Sequence, residues 1–227
     1  MPRYAADGCE LHYETYGSGP TVVLLHGFTS LGSSWVRHGW IDALAGFRAV
    51  TLDLPGHGES DPVEDTSTPR LASLVVALLD ELDLERAALV GFSFGGGVAL
   101  QAALDAPRRV ARLVVGGVGD PALHPVGVGF DERLRRHAAG SGNDVVALLR
   151  YLRDGRWPGS PTGLRPLAMP ALVILAEADE YMSPADELVA RLRPSDVLLL
   201  PDRGHDQIVP AIDVQRAVAE FLAPVRG

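Results

Sequence analysis

Leu89-Val90-Gly91-Phe92-Ser93-Phe94-Gly95-Gly96-Gly97 is the stretch on which the fold turns: an apolar strand running straight into a serine, with glycine two residues before and two residues after it. A helical segment follows. Glycines at 91 and 95 permit a sharp turn at Ser93, because a side chain at either position would collide with neighbouring backbone. A serine hydroxyl is a poor nucleophile unless such a turn holds it out beside a base. A helix opening at Ser93 also aims its free N–H groups at the place where negative charge would develop.

Outward from this turn the chain alternates. Glu10 to Gly17 alternates polar and apolar, as a half-exposed strand does, and Gly17-Ser18-Gly19-Pro20 makes a turn. Thr21 to Leu25, Phe47 to Leu54, Ala87 to Val90, Leu113 to Val115, Ala171 to Leu175 and Val197 to Leu200 are short continuous apolar runs. Such runs suit strands covered on both faces. Between them lie helical patterns. Leu71, Leu74, Val75, Leu78, Leu79 and Leu82 share one stripe, with Thr68 as its cap and Pro69 in its first turn. Ser183-Pro184 opens another helix, and Val214, Val218, Phe221 and Leu222 give a terminal helix its buried side. Strands alternating with helices predict an α/β protein, a mainly parallel sheet with helices on both faces. Ligands bind such sheets at the carboxyl ends of the strands. His26, Asp53, Ser93, Asp179 and His205 all follow strands, and so belong to one rim.

From Gly116 to Met169 the rhythm breaks, with two short helices expected near 131–139 and 144–153. We read residues 118–168 as a small lid inserted in a single domain spanning 1–227. That length suffices for one sizeable core. The formal net charge of −9 argues against nucleic acid or an anionic membrane as partner and favours a neutral or weakly charged small molecule. Cys9 is the only cysteine, which excludes an intrachain disulfide and cysteine-cluster metal sites. The start of the chain shows no long apolar run, and no stretch of 18 apolar residues occurs. The expectation is a cytoplasmic protein.

In its ordered marks the chain resembles the α/β-hydrolase superfamily. These are Asp7-Gly8 with Leu11-His12-Tyr13-Glu14, His26-Gly27-Phe28, Asp53-Leu54-Pro55-Gly56-His57-Gly58-Glu59-Ser60, the turn at Ser93, Asp179 with Pro184, and Gly204-His205. The resemblance implies a roughly eight-stranded sheet and a triad in the order Ser, Asp, His. It makes Ser93 the nucleophile, His205 the general base, Asp179 the acid that fixes the imidazole, and the backbone N–H groups of Phe28 and Phe94 the oxyanion hole. The rings of Phe28 and Phe94 would then face an apolar acyl group. Glu177 and Glu180 crowd the same turn as Asp179, and Asp120 follows the preceding strand, where some members of the superfamily place their acid. His26 and His57 fall in loops that the resemblance treats as architectural. Arg133, Arg135 and Arg136 look like a solvated helix face, and Trp35, Trp40 and Trp157 like packing residues.

A serine nucleophile points to esters, thioesters, lactones or activated amides through an acyl-enzyme. The expected substrate is a small to medium ester-like molecule, with no cofactor and no metal. Lactonase, thioesterase, carbon–carbon bond hydrolase, acyl-releasing or cyclising enzyme and non-catalytic receptor remain open on the same frame, as does the oligomeric state.

Overall fold

The computed structural model describes residues 2–6, 8–119, 141, 143–152, 161–181 and 185–223. Eight strands form one sheet: β1 (Arg3–Ala6), β2 (Cys9–Tyr16), β3 (Thr21–Leu25), β4 (Arg48–Leu52), β5 (Ala87–Phe92), β6 (Val110–Gly116), β7 (Ala171–Ala176) and β8 (Asp196–Leu200). Their spatial order is β1-β2-β4-β3-β5-β6-β7-β8. The first two strands pair antiparallel, as do β2 and β4; every other pairing is parallel.

The continuous apolar runs are explained by the two faces of this sheet. Successive side chains of a strand point to opposite faces. Val23 and Leu25 of β3 therefore join one core, and Val22 and Leu24 the other. The first core packs under α3 (Thr68–Glu81) and α4 (Phe94–Asp105) and takes in Leu148 of α5 (Val145–Arg150) and Leu188 of α6 (Asp186–Leu192). The second lies under α1 (Ser33–Arg37), α2 (Trp40–Ala43) and α7 (Ile212–Leu222). Trp35 and Trp40 meet edge to face there at 5.0 Å, both buried, as expected of packing residues.

Register sets the rim. Leu25 lies opposite Leu52 and Gly91, Phe92 opposite Gly116, Gly116 opposite Ile174, and Ala176 opposite Leu200. The parallel strands therefore end together, and the residues that follow them share one edge of the sheet.

Some boundaries differ from expectation. The cap of α3 is Ser67, held by Asp65 Oδ1 at 2.9 Å, and Thr68 is the first helical residue. The chain turns one residue earlier because Asp65 captures the Ser67 amide. The expected helix near 144–153 is α5, capped by Asp144, whose Oδ1 accepts from Val146 N at 2.9 Å and Ala147 N at 3.1 Å. The helix expected near 131–139 lies outside the described residues, as do Asp7, Ser183-Pro184, the three arginines at 133, 135 and 136, and Trp157.

Candidate active site

Ser93 stands between β5 and α4 with φ 53° and ψ −117°, outside the regions that suit a residue with a side chain. The flanking glycines make this possible. A Cβ on Gly91 would lie 2.3 Å from Gly95 O, and one on Gly95 would lie 2.3 Å from Leu25 O. Ser93 N donates to Gly116 O at 2.8 Å and Gly95 N to His26 O at 3.0 Å. The turn is thereby tied to the strands on either side. α4 begins at Phe94, so the amides of its first turn have no partner within the helix.

The loops after β7 and β8 deliver Asp179 and His205. They are joined by Glu177 N to Leu200 O at 3.1 Å and Ala178 N to Arg203 O at 2.9 Å. His205 Nδ1 and Asp179 Oδ2 are 2.7 Å apart and both residues are buried. Asp179 Oδ1 accepts from Tyr181 N at 2.9 Å, so both carboxylate oxygens are fixed. An ionised carboxylate on the Nδ1 side places the ring proton there and leaves Nε2 as a proton acceptor. The imidazole lies against Phe92, the residue before Ser93, with ring centroids 4.8 Å apart, and against Tyr181 at 5.4 Å. A Cβ on Gly117 would come within 2.9 Å of His205 Cε1. Glycine at 117 is what leaves the ring its place. Asp120 lies outside the described residues.

His26-Gly27-Phe28 passes beside the serine: a Cβ on Gly27 would be 3.6 Å from Ser93 Cβ. Gly27 O accepts from His26 Nδ1 at 2.9 Å and Ser30 N at 3.0 Å. Because a trans peptide is planar, a carbonyl held on one side turns the Phe28 N–H to the other. Among the described residues no acceptor engages the amides of Phe28 or Phe94.

Among the described histidines, His26 and His57 differ from His205 in what their ring nitrogens touch. His26 donates from Nδ1 to Gly27 O, and its Nε2 accepts from Leu54 N at 3.0 Å. His57 donates from Nδ1 to Pro55 O at 3.0 Å, and its Nε2 accepts from Thr29 N at 3.3 Å. Burial pushes both below their ordinary pKa, His57 the further, with the His26 ring beside it adding to the effect. Both are neutral braces between the 26–30 and 54–60 loops, in line with an architectural role. Asp53 is a brace too. Its carboxylate accepts from Gly32 N at 2.7 Å and Glu59 N at 3.2 Å and meets His12 Nδ1 at 2.9 Å.

One expectation fails. The Phe94 ring does not face an acyl site; it is fully buried in the first core, 5.2 Å from Tyr151 and 5.5 Å from both Phe28 and His57. A large ring at the start of a helix packed on a sheet gains more from that contact than from a wet cleft. Sequence reasoning also passes over Tyr181, Asn143 and Tyr151. A tyrosine two residues after a rim carboxylate was the one local signal for Tyr181, and the other two carry none.

Among the described residues no group of three or more His, Cys, Asp or Glu side chains could hold a metal ion. No described helix is long and apolar enough to cross a membrane.

Residues 20–135 match the family model described as alpha/beta hydrolase fold. The chain is 33% identical to the dihydrolipoyllysine-residue acetyltransferase component of the acetoin cleaving system of Pseudomonas putida, covering 92% of this chain and 65% of that protein. It is 42% identical to a 2-hydroxy-6-oxononadienedioate/2-hydroxy-6-oxononatrienedioate hydrolase of Paraburkholderia phymatum, over 51% of this chain and 43% of that one. The solved structure of an N-acyl homoserine lactone degrading enzyme superposes with a TM-score of 0.83 at 23% identity, covering 98% of this chain and 100% of that chain, which shows a shared fold. The chain spans 31–65% of the length of these and kindred curated relatives.

Proposed function

Because the chain belongs to the alpha/beta hydrolase family, we propose that it is a serine hydrolase that cleaves a small to medium carboxylic ester through an acyl-enzyme. Ser93 Oγ attacks the carbonyl carbon while His205 Nε2 takes its proton. Asp179 holds the imidazole and stabilises its charged form. The amides of Phe28 and Phe94 receive the tetrahedral oxyanion. Collapse breaks the bond to the alcohol oxygen, which leaves with the proton from His205. Water then repeats the sequence at the acyl carbon and frees Ser93. In this reading residues 1–227 are one domain and 118–168 its lid.

The observation that carries the proposal is the 2.7 Å contact between His205 Nδ1 and Asp179 Oδ2, with the same imidazole seated on the residue before Ser93. A second reading is hydrolysis of an oxo-dienedioate at a carbon–carbon bond on the same three side chains. It draws on the 42% match to the hydrolase of Paraburkholderia phymatum.

A fluorophosphonate probe should label Ser93, mapped by mass spectrometry. A panel of p-nitrophenyl esters, thioesters, lactones and an oxo-dienedioate then identifies the bond cleaved. Ser93→Ala should abolish labelling and lower turnover by on the order of 10⁴-fold or more while the fold survives. Wild-type protein that takes no label and turns over none of the panel would refute the proposal.

A further inference from the structure

The segment that carries α5 reaches both the 26–30 loop, which passes beside the serine, and the 54–60 loop braced against it. Asn143 Nδ2 donates to Thr29 O at 2.8 Å, and its Oδ1 accepts from Gly58 N at 3.1 Å. Thr29 is a β-branched residue at φ 66°, a left-handed conformation that persists only where the surroundings impose it. Its two backbone polar groups are both taken, the carbonyl by Asn143 and the amide by His57 Nε2. Thr29 directly follows Phe28, so the clamp fixes the chain beside one of the two amides assigned to the oxyanion.

Eight residues further on, Tyr151 completes the arrangement. Its hydroxyl donates to Pro55 O at 2.9 Å, an oxygen that also accepts from His57 Nδ1. Its ring stands edge-on to Phe28 at 5.7 Å and to Phe94 at 5.2 Å. Those are the side chains of the two residues whose amides would bind the oxyanion. Phe28 and Phe94 also pack on each other at 5.5 Å. A displaced Tyr151 ring would leave a void beneath both peptides together, and an aromatic core transmits such a change because it is close-packed.

We propose that Asn143 and Tyr151 are positioning residues that hold the Phe28 and Phe94 amides in the shape the tetrahedral oxyanion requires, so that the 143–151 segment acts on the transition state. The inference rests on the assignment of those two amides as oxyanion donors. Neither side chain is required to touch substrate. Their effect therefore falls on kcat and on tetrahedral mimics, and leaves ground-state binding largely alone.

The test uses the full chain, p-nitrophenyl butyrate as substrate and butaneboronic acid as a tetrahedral probe. Asn143→Ala removes both ends of the clamp. Tyr151→Phe removes only the hydroxyl and keeps the ring, so it answers the question if the first variant fails to fold. Each folded variant should lose about tenfold to a hundredfold in kcat, short of the roughly 10²–10³ that follows loss of a donor outright. KM should stay within about threefold, and boronate affinity should fall in step with kcat/KM. Unchanged kcat in the folded variants would overturn the inference. So would a raised KM at constant kcat, or a lowered kcat with boronate affinity untouched. Wild-type protein with neither turnover nor boronate binding would instead remove the hydrolase reading beneath it.

Discussion

Replacing Gly95 by alanine adds one methyl group at the tightest point beneath Ser93. Its carbon would stand 2.3 Å from Leu25 O and 2.5 Å from both Leu25 C and His26 O. All three atoms are backbone, and Leu25 is paired to Leu52 on one side and Gly91 on the other, so no rotamer change relieves the clash. α4 must retreat by roughly an ångström to restore van der Waals contact, since the sheet cannot yield. That retreat breaks the 3.0 Å bond from Gly95 N to His26 O. Overpacking of this kind costs about 1–3 kcal/mol, and a buried hydrogen bond adds about 1 kcal/mol, giving roughly 2–4 kcal/mol in all. In a domain of this size each kcal/mol moves Tm by about 2–4 °C, so Gly95→Ala should melt roughly 5–15 °C below wild type. Gly204→Ala is the control: its nearest atoms would be Ala178 O at 3.6 Å and Gln207 Oε1 at 3.7 Å, ordinary contact distances. Its Tm should stay within about 2 °C of wild type, as substitutions without a clash usually do. Both are read by thermal scanning with near-ultraviolet circular dichroism. Equal Tm for Gly95→Ala and wild type would refute the account of the serine turn.

Two further outcomes follow from the buried braces. His26 and His57 are held neutral below their ordinary value of 6.5, so below that pH the unfolded chain binds more protons than the native one. Stability is unaffected above about pH 7 and falls as pH drops through 6.5, by up to about 1.4 kcal/mol per pH unit for each histidine. Urea midpoints measured between pH 7 and pH 5 should decline, less steeply in His57→Gln; a flat series would count against the burial. Asp53→Ala strips an acceptor from Gly32 N, Glu59 N and His12 Nδ1. Urea denaturation should show a loss of roughly 3 kcal/mol or more, because buried donors left without partners cost about 1–3 kcal/mol each. A loss under about 1 kcal/mol would mean that water satisfies these groups.

The parallel strands are legible in the sequence because β3 to β7 are covered on both faces, which forces unbroken apolar runs such as Thr21–Leu25 and Ala171–Ala176. The Ser93 turn is legible because close backbone approach at 91 and 95 admits only glycine. Less is visible where structure depends on distant partners. The helices α1 and α2, five and four residues long, are too brief for a periodic pattern. Only the ordered marks around Gly56-His57-Gly58 and Gly204-His205 separate the two histidines in the sequence. One spends both ring nitrogens on backbone, the other meets a carboxylate 26 positions away. The direction of the Phe94 ring was hidden for the same reason, since Tyr151 and Phe28 reach it from far along the chain.

The serine turn grows from the middle of the sheet, whereas Asp179 and His205 hang from the loops after its last two strands. The outermost strand, Asp196–Leu200, pairs on one side only and buries a single side chain. Margins of this kind open at lower free energy than the interior they border. Mild denaturant should thus loosen the edge that carries Asp179 and His205 while the central strands, and the serine turn they hold, stay intact.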